Sequence, residues 1–252
     1  MRAIAVVGYS GSGKTLVVES LVRGLVERGY SVATIKHVRG ERVDLATKDT
    51  WRHIEAGSSF VVALAEGETV EITPRRTSLG EALSKLRSFD FVVVEGFKEE
   101  FPGPRVIAAK SVSEVLELVD ELSVAISGLI GRESREAIRG IPVIDPGDSE
   151  ALARLAVEKA LTPPACLDCG KCGYESCKEL AIAALRGETS PERCIYLAGS
   201  GKVELEVDGR PVPLNEFVSA VFERVVAALV ECLRGVGEYR EVKVRLVVGK
   251  RT

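Results

Sequence analysis

The hydrophobic pattern of the chain switches repeatedly between two rhythms. "RAIAVV" at 2–7 is an unbroken apolar run that stops at Gly8, as a buried strand would. In "TLVVESLVRGLVERG", Leu16, Val17, Leu21, Leu25 and Val26 recur at helical spacing and the pattern ends at Gly29. "SVATIKH" reads as a second strand, and a polar stretch leads into a helix over "TKDTWRHIEAG" that ends at Gly57. "FVVALAE" and "TVEIT" are strand-like runs on either side of the Gly67 turn, and "GEALSKLR" is a short helix. "FDFVVVEGF" is a strongly apolar strand ending in Glu95. "RVIAAK", the helical "SEVLELVD", the strand "SVAIS", and a strand, turn and helix in "IPVIDPGDSEALARLAVEKAL" complete the series. Strands alternating with helices, opened by a glycine-rich turn, predict an α/β domain with a mainly parallel sheet over residues 1–161.

The two prolines of "TPPAC" stop that series, and a cysteine-rich segment fills 162–198. Beyond it, "KVELEVDGRPVPL" alternates around Asp208-Gly209, a hairpin turn signal. A helix carrying Phe217, Val218, Val221, Phe222, Val225, Leu229 and Val230 follows, then "REVKVRLVV", which reads as a half-exposed strand. Residues 199–252 are thus predicted as a small α+β unit of hairpin, helix and strand. Cys232, on the apolar face of that helix, is expected to pack as a small hydrophobe.

Composition narrows the class. The 252 residues are 46% hydrophobic and 28% charged, ordinary values for a globular protein. A net charge of -3 argues against a general nucleic-acid coat. No apolar run approaches the roughly 18 residues that span a bilayer; "VSAVFERVVAALVECL" is broken by Glu223 and Arg224. The start reads straight into the glycine loop without a secretory pattern. A cytoplasmic location is expected, with neither nucleic acid nor membrane as partner, and there clustered cysteines more often hold metal than pair. The absence of glutamine and the single asparagine, Asn215, fit a thermophile, although a genome-wide base bias gives the same signature.

The strongest chemical signal is Gly8-Tyr9-Ser10-Gly11-Ser12-Gly13-Lys14-Thr15, which satisfies G-x-x-x-x-G-K-[ST] between a strand and a helix. Glycines let the backbone curl so that successive N–H groups meet phosphate oxygens, and the helix N-terminus adds a favourable dipole. Lys14 is the residue expected at the β- and γ-phosphates, and the Thr15 hydroxyl the one expected on Mg²⁺. Glu95, at the end of a buried strand, is the best placed carboxylate to organise metal or attacking water. Asp44 and Asp49, after the second strand, are candidates for a segment that senses the γ-phosphate. "TKDT" at 47–50 has the letters of a guanine-reading motif but precedes a helix instead of following a late strand, so it is set aside.

Together, "VVGYSGSGKTLVVESLVRGLVERGYSVATIKH", "VDLATKDTWRHIEAG" and "FDFVVVEGFKEEFPGPRV" resemble the molybdopterin-guanine dinucleotide biosynthesis protein B (MobB) family over most of residues 2–110. The resemblance implies a P-loop protein that binds GTP, hydrolyses it slowly and usually acts as a homodimer. It further implies a role in attaching a guanosine nucleotide to the molybdenum or tungsten pterin cofactor. The partners so implied are the molybdopterin cofactor and the guanylyltransferase or a molybdo- or tungsto-enzyme. Residues Gly8 to Thr15 match the family's phosphate loop. Lys36, His37, Asp44, Asp49 and Arg52 match the segment after the second strand, and Glu95 and Gly96 match the acidic strand end. "VRGERV" departs from the His/Asp-rich stretch that relatives often carry. His37 and His53 otherwise read as ordinary polar contacts.

Cys169, Cys172 and Cys177 are spaced C-x2-C-x4-C, and sixteen residues separate the last of them from Cys194. Three thiolates from one tight turn can wrap a metal centre that a fourth, from a returning segment, completes. "CGKCGYESCKELAIAALRGETSPERC" resembles the cysteine module of corrinoid iron–sulfur proteins, which implies a [4Fe–4S] cluster; zinc is the alternative for four thiolates. Cys166 is either a substitute ligand or free. Two further functional readings stay open beside the adapter: an NTP-driven electron-transfer or reductive-activation protein, and a scaffold in which metal only staples a small domain.

Overall fold

A computed structural model of the chain describes residues 1–38, 40, 48–198, 203, 205–207, 210–212, 214, 216–239, 242–244 and 246. The chain divides into two compact units, Met1–Cys194 and Ile195–Thr252.

In the first unit, β1 (Arg2–Val7) runs into α1 (Lys14–Glu27), β2 (Val32–Lys36) and α2 (Lys48–Glu55). A hairpin of β3 (Val61–Leu64) and β4 (Thr69–Ile72) precedes α3 (Leu79–Ser84) and β5 (Phe91–Glu95). There follow β6 (Arg105–Ala108), α4 (Val112–Leu118), β7 (Ser123–Ser127), α5 (Ile130–Glu133), α6 (Ser149–Lys159) and α7 (Cys177–Leu185), with a short 3₁₀ turn at Pro191–Arg193. Five strands form one sheet in the order β2-β5-β1-β6-β7, every pair parallel. The expected α/β architecture with its mainly parallel sheet is therefore present. The strand expected in "IPVIDP" contributes one parallel rung, Val143 beside Ile126, because Pro142 removes a ladder donor and Pro146 follows closely.

The period-2 alternation of the strands sorts the core into two layers. Ile4, Val6, Phe91, Val93 and Val106 point to the face covered by Val17, Leu21 and Leu25 of α1 and by Leu152 and Ala156 of α6. Ala3, Ala5, Val7, Val92, Val94 and Ile107 point to the other face, covered by Leu79 and Leu83 of α3, Val115 and Leu118 of α4, and Phe101. Burial on both faces explains why these strands read as continuous apolar runs.

The second unit contains α8 (Ile195–Ala198), the hairpin β8 (Leu205–Val207) and β9 (Arg210–Val212), and α9 (Glu216–Glu231). Asp208 and Gly209 lie outside the described residues. Two expectations fail here. The described residues of the expected last strand, Val242, Lys243, Val244 and Leu246, belong to no strand, and all four are exposed. Alternation permits a strand but supplies no edge to pair with. Cys232, the residue after α9, is exposed instead of packed, and the helix before it keeps much of its apolar face open, with Phe217 77% and Leu229 64% exposed.

Candidate functional site

β1 is the central strand, and its C-terminal end turns directly into the glycine loop. Gly13 caps α1 with φ of 89°, a left-handed conformation that a β-branched residue would not hold. Inside the loop, Ser12 is fully buried and its carbonyl accepts the Leu129 N–H at 3.2 Å, so the segment after β7 buttresses the loop from behind. The Lys14 ammonium donates to the Tyr9 carbonyl at 2.6 Å. Ser10 and Gly11 lie on the exposed side of the same turn.

Glu95 is brought to this loop by strand register. Val6, Glu95 and Lys36 sit in one row across β1, β5 and β2. The Thr15 hydroxyl donates toward Glu95 Oε1 at 3.4 Å, and Lys36 Nζ stands 3.6 Å from the same oxygen. The Glu95 side chain is 12% exposed, and a carboxylate so deep is held by the hydroxyl and the ammonium beside it. Thr15, Lys36 and Glu95, predicted separately, thus converge on one oxygen atom.

The strand end continues this construction. Gly96 has φ of 91°, and a Cβ there would come 2.8 Å from the Cβ of His37. Phe97, also left-handed at φ 51°, stacks on His37 with ring centroids 4.5 Å apart. The His37 ring thus makes an aromatic contact, where the sequence suggested an ordinary polar one. Asp44 lies outside the described residues; Asp49 falls in the first turn of α2, its side chain outside them too.

Two further residues meet the loop without any motif to announce them. Lys110, two residues past β6, lies against Gly11, its Nζ 3.4 Å from where a Cβ would stand. The Tyr9 hydroxyl donates to Glu117 Oε2 at 2.9 Å, and that hydrogen bond raises the phenol's pKa. The rule that the C-terminal ends of parallel strands line the site would have marked Lys110.

The cysteine segment packs within the same compact unit. Cys177 opens α7, capped by Ser176, whose side chain accepts the Glu179 N–H. Its own N–H donates to Asp168 Oδ1 at 2.6 Å. Burial pushes the Cys177 thiol up, against the opposing pull of the Asp168 and Leu167 backbone amides that donate toward its sulfur. Arg193 Nε donates to the Cys172 carbonyl at 2.8 Å, tying the turn to the residue before Cys194. Cys177 and Cys194 are buried, Cys172 is half-buried and Cys169 exposed. Cys166 packs at the rim of the core, its thiol pushed up to about 12 by burial and by Cys177, Asp168 and Cys194 nearby.

Among the described residues, no three His, Cys, Asp or Glu side chains are gathered as a single-ion site. The donor set nevertheless fits a metal centre in kind: four cysteines, left-handed turns at Asp168, Gly170 and Gly173, and amides directed at a cysteine sulfur. No helix among the described residues is long and apolar enough to cross a membrane.

A family model described as molybdopterin guanine dinucleotide synthesis protein B matches residues 3–127, and one described as "Putative Fe-S cluster" matches residues 167–196. A "Putative molybdopterin-guanine dinucleotide biosynthesis adapter protein" of Methanocaldococcus jannaschii is 30% identical over 99% of both chains. A molybdopterin-guanine dinucleotide biosynthesis adapter protein of Haemophilus influenzae is 39% identical over 131 residues, 49% of this chain and 72% of that protein. The crystal structure of Bacillus subtilis MobB superimposes with a TM-score of 0.53 at 22% identity, covering 63% of this chain and 98% of that one, a likeness of fold. With a relative alike over its whole length and the site assembled on the same stretch of sequence, the chain belongs to the molybdopterin guanine dinucleotide synthesis protein B family.

Proposed function

We propose that this protein is a GTP-binding adapter in the assembly of the molybdenum or tungsten pterin guanine dinucleotide cofactor, with slow GTP hydrolysis. The observation that carries the reading is the meeting of Thr15, Lys36 and Glu95 on one carboxylate oxygen at the mouth of the glycine loop. Gly8, Ser10, Gly11, Ser12 and Gly13 supply the curled backbone for the phosphates, and Lys14 exchanges the Tyr9 carbonyl for a phosphate oxygen. Thr15 would hold Mg²⁺, and Glu95 would orient that ion's water shell or the attacking water. Lys36 lies within reach of the same oxygens, and Asp44 and Asp49 belong to the segment that responds to the γ-phosphate.

The working division is a GTP-binding part at 1–161, a cluster module at 162–198 and a carboxy-terminal unit at 199–252. Cys169, Cys172, Cys177 and Cys194 would hold a [4Fe–4S] cluster, with zinc as the alternative. Bound there, a cluster supplies one-electron chemistry or a structural staple. The adapter would act as a cytoplasmic homodimer, meeting the pterin cofactor and the guanylyltransferase or a molybdo- or tungsto-enzyme. Calorimetric titration with GTP and ATP in Mg²⁺, on anaerobically purified protein with metal analysis, tests this reading. Absence of triphosphate binding overturns it.

A further inference from the structure

A chain of ion pairs, running from buried Arg105 through Asp120 to the half-exposed Lys178, joins the strand end that carries Glu95 to the cysteine segment. Arg105 opens β6 with 2% of its surface exposed. Its Nη1 donates to the Lys98 carbonyl at 2.7 Å and its Nη2 to the Phe101 carbonyl at 2.8 Å. These two bonds pin the turn into which Glu95, Gly96 and Phe97 lead. The same Nη1 stands 3.4 Å from Asp120 Oδ2, and that oxygen stands 3.0 Å from Lys178 Nζ. Lys178 follows Cys177 in the first turn of α7.

Asp120 is fixed in place as well as paired. Its Oδ1 accepts from the Ser123 hydroxyl at 3.0 Å and from the Leu122 N–H at 3.2 Å. Burial pushes the Asp120 carboxyl up, but Arg105 and Lys178 together hold it below the usual carboxylate range. Arg105 Nε has no hydrogen-bond partner among the described residues, so the guanidinium is held by two carbonyls and one carboxylate. A buried charge with so few partners cannot follow a shift of the Lys98–Phe101 turn without loosening one of them. Whatever displaces the strand end therefore bears on Asp120, and Asp120 is the seat of Lys178.

We propose that Arg105, Asp120 and Lys178 are positioning residues through which occupancy of the glycine loop alters the grip of the cysteine segment on its metal. The proposal rests on reading the loop as a triphosphate site and the cysteines as a metal site. Its physical content is a shared element that both sites bias.

The test uses the full chain, purified anaerobically with whatever metal it carries. Metal loss to a chromogenic iron(II) or zinc chelator without affinity for Mg²⁺ is timed with and without GTP·Mg²⁺, and GTP binding is verified by titration in each preparation. In the wild type, GTP changes the rate by about fivefold, the lower end of ordinary coupling. Lys178→Ala removes a half-exposed side chain and brings the ratio of the two rates close to one while GTP still binds; Lys178→Arg restores it. A merely structural role for Lys178 would raise both rates and leave the ratio unchanged, which overturns the proposal. So does a wild-type ratio of one with GTP bound. If the wild type binds no GTP or carries no metal, the underlying reading of that site fails and the proposal falls with it.

Discussion

The Thr15 hydroxyl and the Glu95 carboxylate, 80 residues apart in sequence, face each other at 3.4 Å where the glycine loop meets the end of β5. A hydroxyl at the start of α1 and a carboxylate at the end of the adjacent strand present hard oxygen donors to one point, the arrangement a Mg²⁺-bound triphosphate requires. Lys14 lies on the open side of that point, Lys36 beside it.

Replacement of Lys14 by Ala is expected to weaken GTP binding by on the order of a hundredfold, the worth of one strong charge-assisted hydrogen bond. Its ammonium donates to the exposed Tyr9 carbonyl and belongs to neither core layer, so circular dichroism and thermal unfolding should change little. Calorimetry on the variant checks both halves, and unchanged affinity would mean that the loop does not hold the phosphates.

Glu95→Gln keeps the shape of the side chain and removes its charge. The expected outcome is GTP affinity within a few fold of wild type and hydrolysis slowed about a hundredfold, the scale of a positioned acid or base. Single-turnover phosphate release measures this. A variant that hydrolyses GTP at the wild-type rate removes Glu95 from the chemistry.

Asp120→Ala leaves the 2%-exposed Arg105 without its counter-charge and should cost about 3 kcal/mol of stability, read by chemical denaturation. The pH dependence has a definite sign. Because the folded-state pKa of Asp120 is lowered, its contribution is complete above the unfolded value near 3.9 and is lost as pH falls toward the lowered one. Wild type should therefore lose stability more steeply below about pH 4 than Asp120→Asn does. Parallel acid titrations of the two would contradict the assignment.

Cys194→Ser should lower the bound metal content severely, whereas Cys232→Ser should leave it unchanged, because Cys232 is exposed and lies just past α9, outside the cysteine segment. Elemental and sulfide analysis of anaerobically purified protein decides the metal. Iron with an equal amount of labile sulfide supports the cluster, and zinc without sulfide replaces it.

Local spacing carried much of this architecture. The strand, loop and helix from Arg2 to Glu27 are legible because each residue's neighbours in sequence are also its neighbours in the turn and the helix. The convergence of Thr15, Lys36 and Glu95 is half legible. Motif and strand end mark the residues, but only the parallel register of β2, β5 and β1 places them in one row. Arg105 is the opposite case. A charged residue at the start of a strand reads as solvent-facing, and nothing local reveals that Lys98, Phe101 and Asp120 enclose it. The exposed Val242, Lys243, Val244 and Leu246 mark the converse limit, since an alternating pattern specifies a face and not a partner strand.

Guanine-selective triphosphate binding at the glycine loop is tested most directly by titrating the anaerobically purified protein with GTP and ATP in the presence of Mg²⁺. GTP is expected to bind at least about tenfold tighter than ATP, roughly 1.4 kcal/mol of base discrimination. Equal affinity for the two nucleotides, or binding of neither, would contradict it.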